Sequence, residues 1–285
     1  MKADLHIHST ASDGHLTPEE LVAMAADLGL EVISITDHDS IDGVAPALEA
    51  AQAYTGLKLI AGVEVSTDVP HGEVHILGYF INHLDPELRS VLERLRNSRV
   101  LRAQKMVAKL AELGMDVDWG RVQKIAGSGS IGRPHIAQAL VERGHVSSFK
   151  EAFTRFIGRD GPAYVEREKL TPEQVVELIV KAGGLPVLAH PADMQNLEWQ
   201  IAQLQKVGLV GIEAYYDGYT RGVVRYLASL AAKYGLITTG GSDFHGLGGM
   251  EETPLGGVDV PAECIRRLFR LAREKNLCLA EEALE

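Results

Sequence analysis

Polar and apolar positions change period along this chain, and the changes mark out most of its elements. From Ala3 to His8, polar Asp4, His6 and His8 alternate with apolar Leu5 and Ile7, the period of a strand. Leu21, Met24, Ala25 and Leu28 then recur at helical spacing. Thr17-Pro18-Glu19-Glu20 starts that helix, with a capping threonine, a proline at the first helical position and a glutamate to complete a capping box. Gly29 ends it. Strand period returns at Glu31–Thr36, a helical pattern at Ala45–Tyr54, and a third strand at Leu57–Val65, closing on Glu64. This β-α-β-α-β opening predicts a parallel sheet with right-handed crossovers. Val74–Ile81 is also strand-like, but only a short turn through Pro70 and Gly72 precedes it. That gap cannot hold a parallel crossover, so the two strands are expected to run antiparallel. His75 then falls at the same end of the sheet as Glu64.

From Pro86 to about Leu113 the pattern is one long helix, with a stripe of Leu88, Leu92, Leu95, Met106, Leu110 and Leu113. Arg99 and Arg102 interrupt that stripe where apolar residues belong. Shorter helical segments follow at Trp119–Ile125, Pro134–Glu142 and Phe149–Phe156. Strand signals vanish between residues 82 and 164, which predicts a helical insertion there, flanked by barrel halves 1–81 and 165–285. Thr171-Pro172-Glu173-Gln174 restarts the alternation with a capped helix. Strands Leu185–His190, Leu209–Tyr215 and Leu236–Gly240 then alternate with helices Leu197–Val207, Gly222–Tyr234 and Cys264–Lys275. Seven strands around one insertion read as an α/β barrel.

Composition narrows the class. At 285 residues, 46% hydrophobic and 24% charged, the chain suits a soluble enzyme built as one barrel with an insertion. No apolar run approaches the roughly 18 residues a membrane span needs, and a chain that opens directly in strand pattern is expected to lack a leader. Two cysteines, Cys264 and Cys278, exclude a disulfide framework and point to the cytoplasm. A net charge of −11 argues against broad electrostatic capture of nucleic acid.

The candidate chemistry lies at strand ends. His6 and His8 project from one face of the first strand, and Asp13 follows in a Ser-Asp-Gly turn. His38 follows strand two, Glu64 closes strand three, and the hairpin carries His75 to that rim. His190 ends strand five, and Asp243 and His245 follow strand seven. In α/β barrels the carboxyl ends of the strands share the rim that hosts the active site, whereas unrelated polar residues would scatter over both rims. Any one of these histidines alone reads as an ordinary hydrogen-bonded residue; the set reads as a metal site. Imidazole and carboxylate donors without thiolate suit Mn²⁺, Fe²⁺ or Zn²⁺. Nine donors are too many for one ion, so two or three divalent ions sharing Glu64 are expected, with hydrolysis of a phosphate ester as the reaction. His15, His71, His83 and His145 read as surface residues. Asp37 and Asp39 are candidates for orienting imidazoles or for plain turn residues, and Glu213 for orienting an imidazole or facing substrate.

The motifs Asp-Leu-His-Ile-His-Ser, Ser-Asp-Gly, Thr-Asp-His-Asp, Gly-Val-Glu-Val-Ser, Val-His-Ile-Leu-Gly, Ala-His-Pro and Gly-Ser-Asp-Phe-His span essentially the whole chain. Together they resemble the PHP (polymerase and histidinol phosphatase) family. The resemblance implies a distorted (β/α)₇ barrel with up to three metals, Mn²⁺ being the first expectation and Fe²⁺ or Zn²⁺ the alternatives. It places His6, His8, Glu64 and Asp243 on one ion, Glu64, His75 and His190 on a second, and Asp13, His38 and His245 on a third. The catalytic centre would comprise His6, His8, Glu64, His190 and Asp243. The insertion and its Gly-Arg-Pro-His element, Gly132–His135, resemble the branch of 3′,5′-nucleoside bisphosphate phosphatases and related 5′→3′ exoribonucleases. That implies a small nucleotide as substrate, extending to short RNA, with no membrane or obligate protein partner. Arg99, Arg102, Arg133 and His135 are the candidate substrate-binding residues, since a planar guanidinium fork matches phosphate oxygens. Histidinol-phosphate phosphatase activity is the alternative reaction. A non-catalytic, metal-stabilised interaction module is the alternative from another class.

Overall fold

The computed structural model describes residues 1–69, 72–127, 131–166, 170–248 and 252–277. Two compact units divide the chain, Met1–Ser90 with Lys169–Glu285, and Val91–Glu168.

The first unit is a seven-stranded sheet in sequential order. Its strands are β1 (Ala3–Ile7), β2 (Val32–Ile35), β3 (Lys58–Val69), β4 (Gly72–Tyr79), β5 (Leu185–Leu188), β6 (Gly211–Tyr216) and β7 (Ile237–Gly241). β4 runs antiparallel to both neighbours, and every other pair is parallel. The six parallel strands therefore end on one rim, and β4 begins on it. The sheet curls until β1 meets the end of β7: Ile7 bridges Phe244, His8 N–H donates to Phe244 O at 2.9 Å, and Asp243 N–H donates to His6 O at 2.9 Å. This is the expected barrel, closed by the segment that carries Asp243.

The hairpin is longer than the sequence pattern implies. β3 continues past Val65 because pairing with β4 runs on through Ser66↔His75 to Val69↔Gly72. Thr67 and Asp68 look like turn residues but are held in the ladder. His71 and Cys278 lie outside the described residues.

Helices α1 (Pro18–Asp27), α2 (Val44–Ala51), α7 (Pro172–Lys181), α8 (Leu197–Lys206), α9 (Arg221–Lys233) and α10 (Ala262–Glu274) belong to this unit, and α3 (Pro86–Glu112) begins in it. The caps form as expected: Glu20 N–H donates to Thr17 Oγ1 at 3.2 Å while Thr17 N–H donates back to Glu20 at 2.8 Å, and Thr171 with Gln174 repeats the arrangement. One core cluster packs Leu5, Val32, Ile60, Leu77 and Val187 against Ile265, Leu268 and Phe269 of α10. Another packs Ile7, Ile33 and Ile35 against Leu21 and Val22 of α1 and Ala47 of α2. Removing that apolar surface from water is the main stabilising term.

The second unit holds most of α3 together with α4 (Trp119–Ala126), α5 (Arg133–Glu142) and α6 (Phe149–Ala152). Its core of Met106, Leu110, Val122, Ile136, Leu140 and Ile157 is drawn entirely from its own residues. The helix expected over Phe149–Phe156 changes character part-way, becoming a π-helical turn at Phe153–Ile157. Gly158 explains the change. Its N–H donates to Phe153 O, five residues back, at 2.9 Å, and a Cβ there would lie 2.4 Å from the same oxygen. Only glycine permits that wide turn.

Candidate active site

The rim of the first unit gathers the six imidazoles and three carboxylates singled out in the sequence. Glu64 is central and fully buried. Its Oε2 lies 3.3 Å from His6 Nε2, 3.3 Å from His8 Nε2 and 2.8 Å from His38 Nδ1, and its Oε1 lies 2.8 Å from His75 Nδ1 and 3.1 Å from His190 Nε2. Asp243 Oδ1 is 3.3 Å from His6 Nε2 and 2.9 Å from His8 Nε2. Asp13 faces His245 Nε2 at 3.5 Å and His38 Nε2 at 3.9 Å. The imidazoles form a continuous chain, with ring centroids 4.3 Å apart for His245–His8, 4.5 Å for His8–His38, 5.2 Å for His38–His75 and 5.1 Å for His75–His190.

Glu64 Oε1 is hydrogen-bonded to His75 Nδ1 and His190 Nε2, but much of the rest of the cluster is close-packed without being bonded. Among the described residues, His6 Nε2, both ring nitrogens of His8, His38 Nδ1, Asp13 Oδ1, Glu64 Oε2 and Asp243 Oδ1 are buried without a hydrogen-bond partner. An unsatisfied buried polar atom costs about 1–3 kcal/mol, so a cluster of them needs a ligand to which all can turn. Donors lie within 4.8 Å of one another in three overlapping groups: His6, His8, Glu64 and Asp243; His8, Asp13, His38 and His245; and His38, Glu64 and His75. The donor set fits divalent cations.

Electrostatics point the same way. Burial would raise the Glu64 carboxyl, but the imidazoles of His38, His75 and His6 hold it well below the usual carboxylate range. Burial would drive the His8 imidazole down, yet Asp243 and Glu64 carry it up to about 10. His6 is likewise held well above its ordinary value, where Glu213, Asp243 and Glu64 outweigh burial. The buried carboxylates demand positive charge.

Around the cluster a second set of side chains fixes its geometry. Glu213, fully buried, takes His6 Nδ1 at 3.0 Å on one oxygen and accepts from His190 N–H at 2.8 Å on the other. It thereby orients an imidazole and does not face solvent. His190 needs the help: its φ of 28°, like 51° at Asp39 and 55° at Asp243, lies in the left-handed region, a strained choice for a side-chain-bearing residue. Asp37 and Asp39 fasten loops of the rim. Asp37 accepts from Ser9 N–H and Oγ at 2.7 Å and from Ser12 Oγ at 2.6 Å, fastening the turn that carries Asp13, and Asp39 accepts from Ser66 N–H at 2.9 Å.

Three residues that the pattern does not single out belong here. Asp4 accepts from Ser242 N–H at 2.9 Å, Ser242 Oγ at 2.5 Å and Gly256 N–H at 2.8 Å. Its place two residues before His6 on the same strand face was the available signal. Glu252 accepts from His245 N–H at 2.7 Å and Gly246 N–H at 2.8 Å, holding the loop behind His245. Tyr216 donates its hydroxyl proton to Asp243 Oδ2 at 2.7 Å.

The substrate-binding candidates lie in the helical unit. Arg102 is 7% exposed, its Nε donates to Val165 O at 2.8 Å, and its guanidinium covers the Tyr164 ring at 5.1 Å. Arg99 is half-buried. Arg133, the first residue of α5, lies over the Phe153 ring at 5.5 Å. His135 is buried and accepts from Gly132 N–H at 2.9 Å through Nδ1, capping α5. Glu142, on the same helix as Arg133, is held by Arg121, with two contacts of 2.7 Å.

An α/β barrel whose carboxyl rim gathers imidazoles and carboxylates around one buried glutamate defines a class of metal-dependent hydrolases. Residues 4–154 match the PHP domain. A 3′,5′-nucleoside bisphosphate phosphatase of Chromobacterium violaceum is 36% identical over 262 residues, covering 90% of each chain. A 5′-3′ exoribonuclease of Haemophilus influenzae is 35% identical over 248 residues, covering 86% of this chain and 90% of that protein. A solved structure of an amidohydrolase from Chromobacterium violaceum, with bound sulfate and no metal, superposes with a TM-score of 0.85 at 33% identity, covering 96% of this chain and 97% of that one. The chain belongs to the PHP family, a family of metal-dependent phosphoesterases.

Proposed function

We propose that the chain removes phosphate from small nucleotides, 3′,5′-nucleoside bisphosphates first, and cleaves nucleotides 5′→3′ from short RNA. The observation that carries the hydrolytic reading is the set of seven buried, unpartnered ligand atoms gathered on the barrel rim. The nucleotide reading draws its support from the relatives, a bisphosphate phosphatase and an exoribonuclease, each similar over nearly the whole chain. Two or three divalent ions, Mn²⁺ first, would be held by His6, His8, Glu64 and Asp243, by Glu64, His75 and His190, and by Asp13, His38 and His245. When bound, such ions would offset charge on a phosphoryl group and activate water for in-line attack. Among the protein groups, Glu64 would be shared between two of these sets, and Glu213 holds His6 and His190 in register. Arg99, Arg102, Arg133 and His135 are assigned to substrate. We place the protein in the cytoplasm on its sparse cysteines.

The test is turnover by Mn²⁺-loaded protein of adenosine 3′,5′-bisphosphate, a 5′-phosphorylated short RNA, histidinol phosphate and sugar phosphates. The nucleotides are expected to release phosphate or mononucleotide. Turnover of histidinol phosphate or a sugar phosphate alone would overturn the substrate assignment, and no turnover of any ester would overturn the hydrolase.

The cluster also predicts a pH dependence. Without metal, the carboxylates hold His6 well above its ordinary value and His8 up to about 10, which favours the protonated rings. Ligation requires neutral imidazole, so metal uptake expels those protons. Mn²⁺ affinity is therefore expected to rise from pH 6 to pH 8, with proton release visible as a buffer-dependent heat in titration calorimetry. A pH-independent affinity would contradict it.

A further inference from the structure

β6 loses register with β7. Glu213 pairs with Thr239 and Tyr215 with Gly240, so Ala214 is an extra residue on one side of the ladder. In a regular strand residues 213 and 215 would share one face and 216 would take the other. The structure shows a different division. Glu213 reaches His6 in the cluster, Tyr215 packs into the core that includes Cys264 and Ile265 of α10, and Tyr216 reaches Asp243. A one-residue bulge re-aims the side chains beyond it, and here it brings a carboxylate and a phenol to the same face.

We propose that Tyr216 is a positioning residue for Asp243: the bulge aims its hydroxyl at Oδ2, which turns Oδ1 toward the point shared by His6 and His8. The inference rests on reading the cluster as a metal site. Asp243 sits in the left-handed region at φ 55°, so its backbone is itself under strain and the side chain gains from an external tether. Oδ2 is occupied by the phenol at 2.7 Å, while Oδ1 is buried without a hydrogen-bond partner, 2.9 Å from His8 Nε2 and 3.3 Å from His6 Nε2. The Tyr216 ring is held between neighbours, 5.2 Å from the ring of His190 and 5.1 Å from that of Tyr219. Tyr216 thus leaves Asp243 with one free oxygen of fixed direction to offer an ion, the role that carboxylates and hydroxyls behind metal ligands commonly play.

The experiment is Mn²⁺ titration of chelator-stripped protein, followed by the electron paramagnetic resonance signal of bound Mn²⁺, for wild type, Tyr216→Phe and Tyr215→Phe. Tyr216→Phe keeps the ring and removes only the donor. It is expected to weaken Mn²⁺ binding about 10-fold to 100-fold and to alter the bound-ion signal, with the melting midpoint of the stripped protein unchanged. Tyr215→Phe, on the other face of the bulge, is expected to bind Mn²⁺ as wild type does. Unchanged affinity in Tyr216→Phe overturns the proposal, as does a loss matched by Tyr215→Phe or accompanied by a lower melting midpoint of the stripped protein. A wild-type chain that takes up no Mn²⁺ overturns the metal reading itself, and is distinguishable because it fails before any variant is compared.

Discussion

Glu64→Gln is expected to leave a folded barrel that binds fewer metal ions and hydrolyses phosphate esters at least about 10³-fold more slowly, a loss of roughly 4 kcal/mol in transition-state stabilisation. The side chain is nearly isosteric, so packing is not at issue. What changes is charge and donor character. Both Glu64 oxygens face ring nitrogens, three at 2.8–3.3 Å on one side and two at 2.8 and 3.1 Å on the other. An amide places a neutral oxygen on one side and two N–H donors on the other, and a donor aimed at a cation is repelled. Since the groups around His6 and His75 share this one carboxylate, the variant should lose more than a single ion's worth of binding. Metal content by mass spectrometry and phosphate release from adenosine 3′,5′-bisphosphate read the two effects separately. A variant with full metal content and activity within tenfold of wild type would remove Glu64 from the centre of the site.

How much of this was legible from the residues depended on whether the signal was local. His6 and His8 are two apart on one strand, and the Pro70–Gly72 turn is too short for a crossover; both facts are local, and both place side chains correctly on the rim. The nine donors could be listed because each lies on, or just beyond, a strand whose direction the alternation reveals. Tyr216 was not legible for the opposite reason. Simple alternation groups Glu213 with Tyr215, and only the register of β6 against β7 shows that Ala214 breaks the count. The π turn at Phe153–Ile157 is similar, since it depends on what the Phe153 carbonyl meets at Gly158. Arg102 shows a third case. Its place on an apolar stripe indicated burial, which the structure bears out, but not that Val165 O would accept from its Nε.

Gly241→Ala is expected to lower the melting midpoint of the metal-stripped protein and weaken Mn²⁺ binding together, because one added methyl strikes the strand that carries His6. A Cβ at position 241 would lie 2.4 Å from His6 Cβ, 2.4 Å from His6 N and 2.9 Å from Asp4 Oδ1. All three contacts are with β1, and the two with His6 are to its backbone nitrogen and Cβ, which no rotamer relieves. β1 and the end of β7 must separate, yet that seam is fastened by Asp243 N–H to His6 O at 2.9 Å and by Ser242 N–H to Asp4 Oδ1 at 2.9 Å. Overpacking of this kind costs about 1–3 kcal/mol, which for a chain of this size lowers the midpoint by roughly 2–5 °C. The functional cost should be larger, since a displacement of about 1 Å in a site that depends on positioning can slow a reaction about 10²-fold. Gly56→Ala is the control, because nothing lies within 4 Å of a Cβ there, and it should melt and bind Mn²⁺ as wild type does. If Gly241→Ala matched that control, the close approach of β7 to His6 would not be what holds His6 and Asp243 against each other.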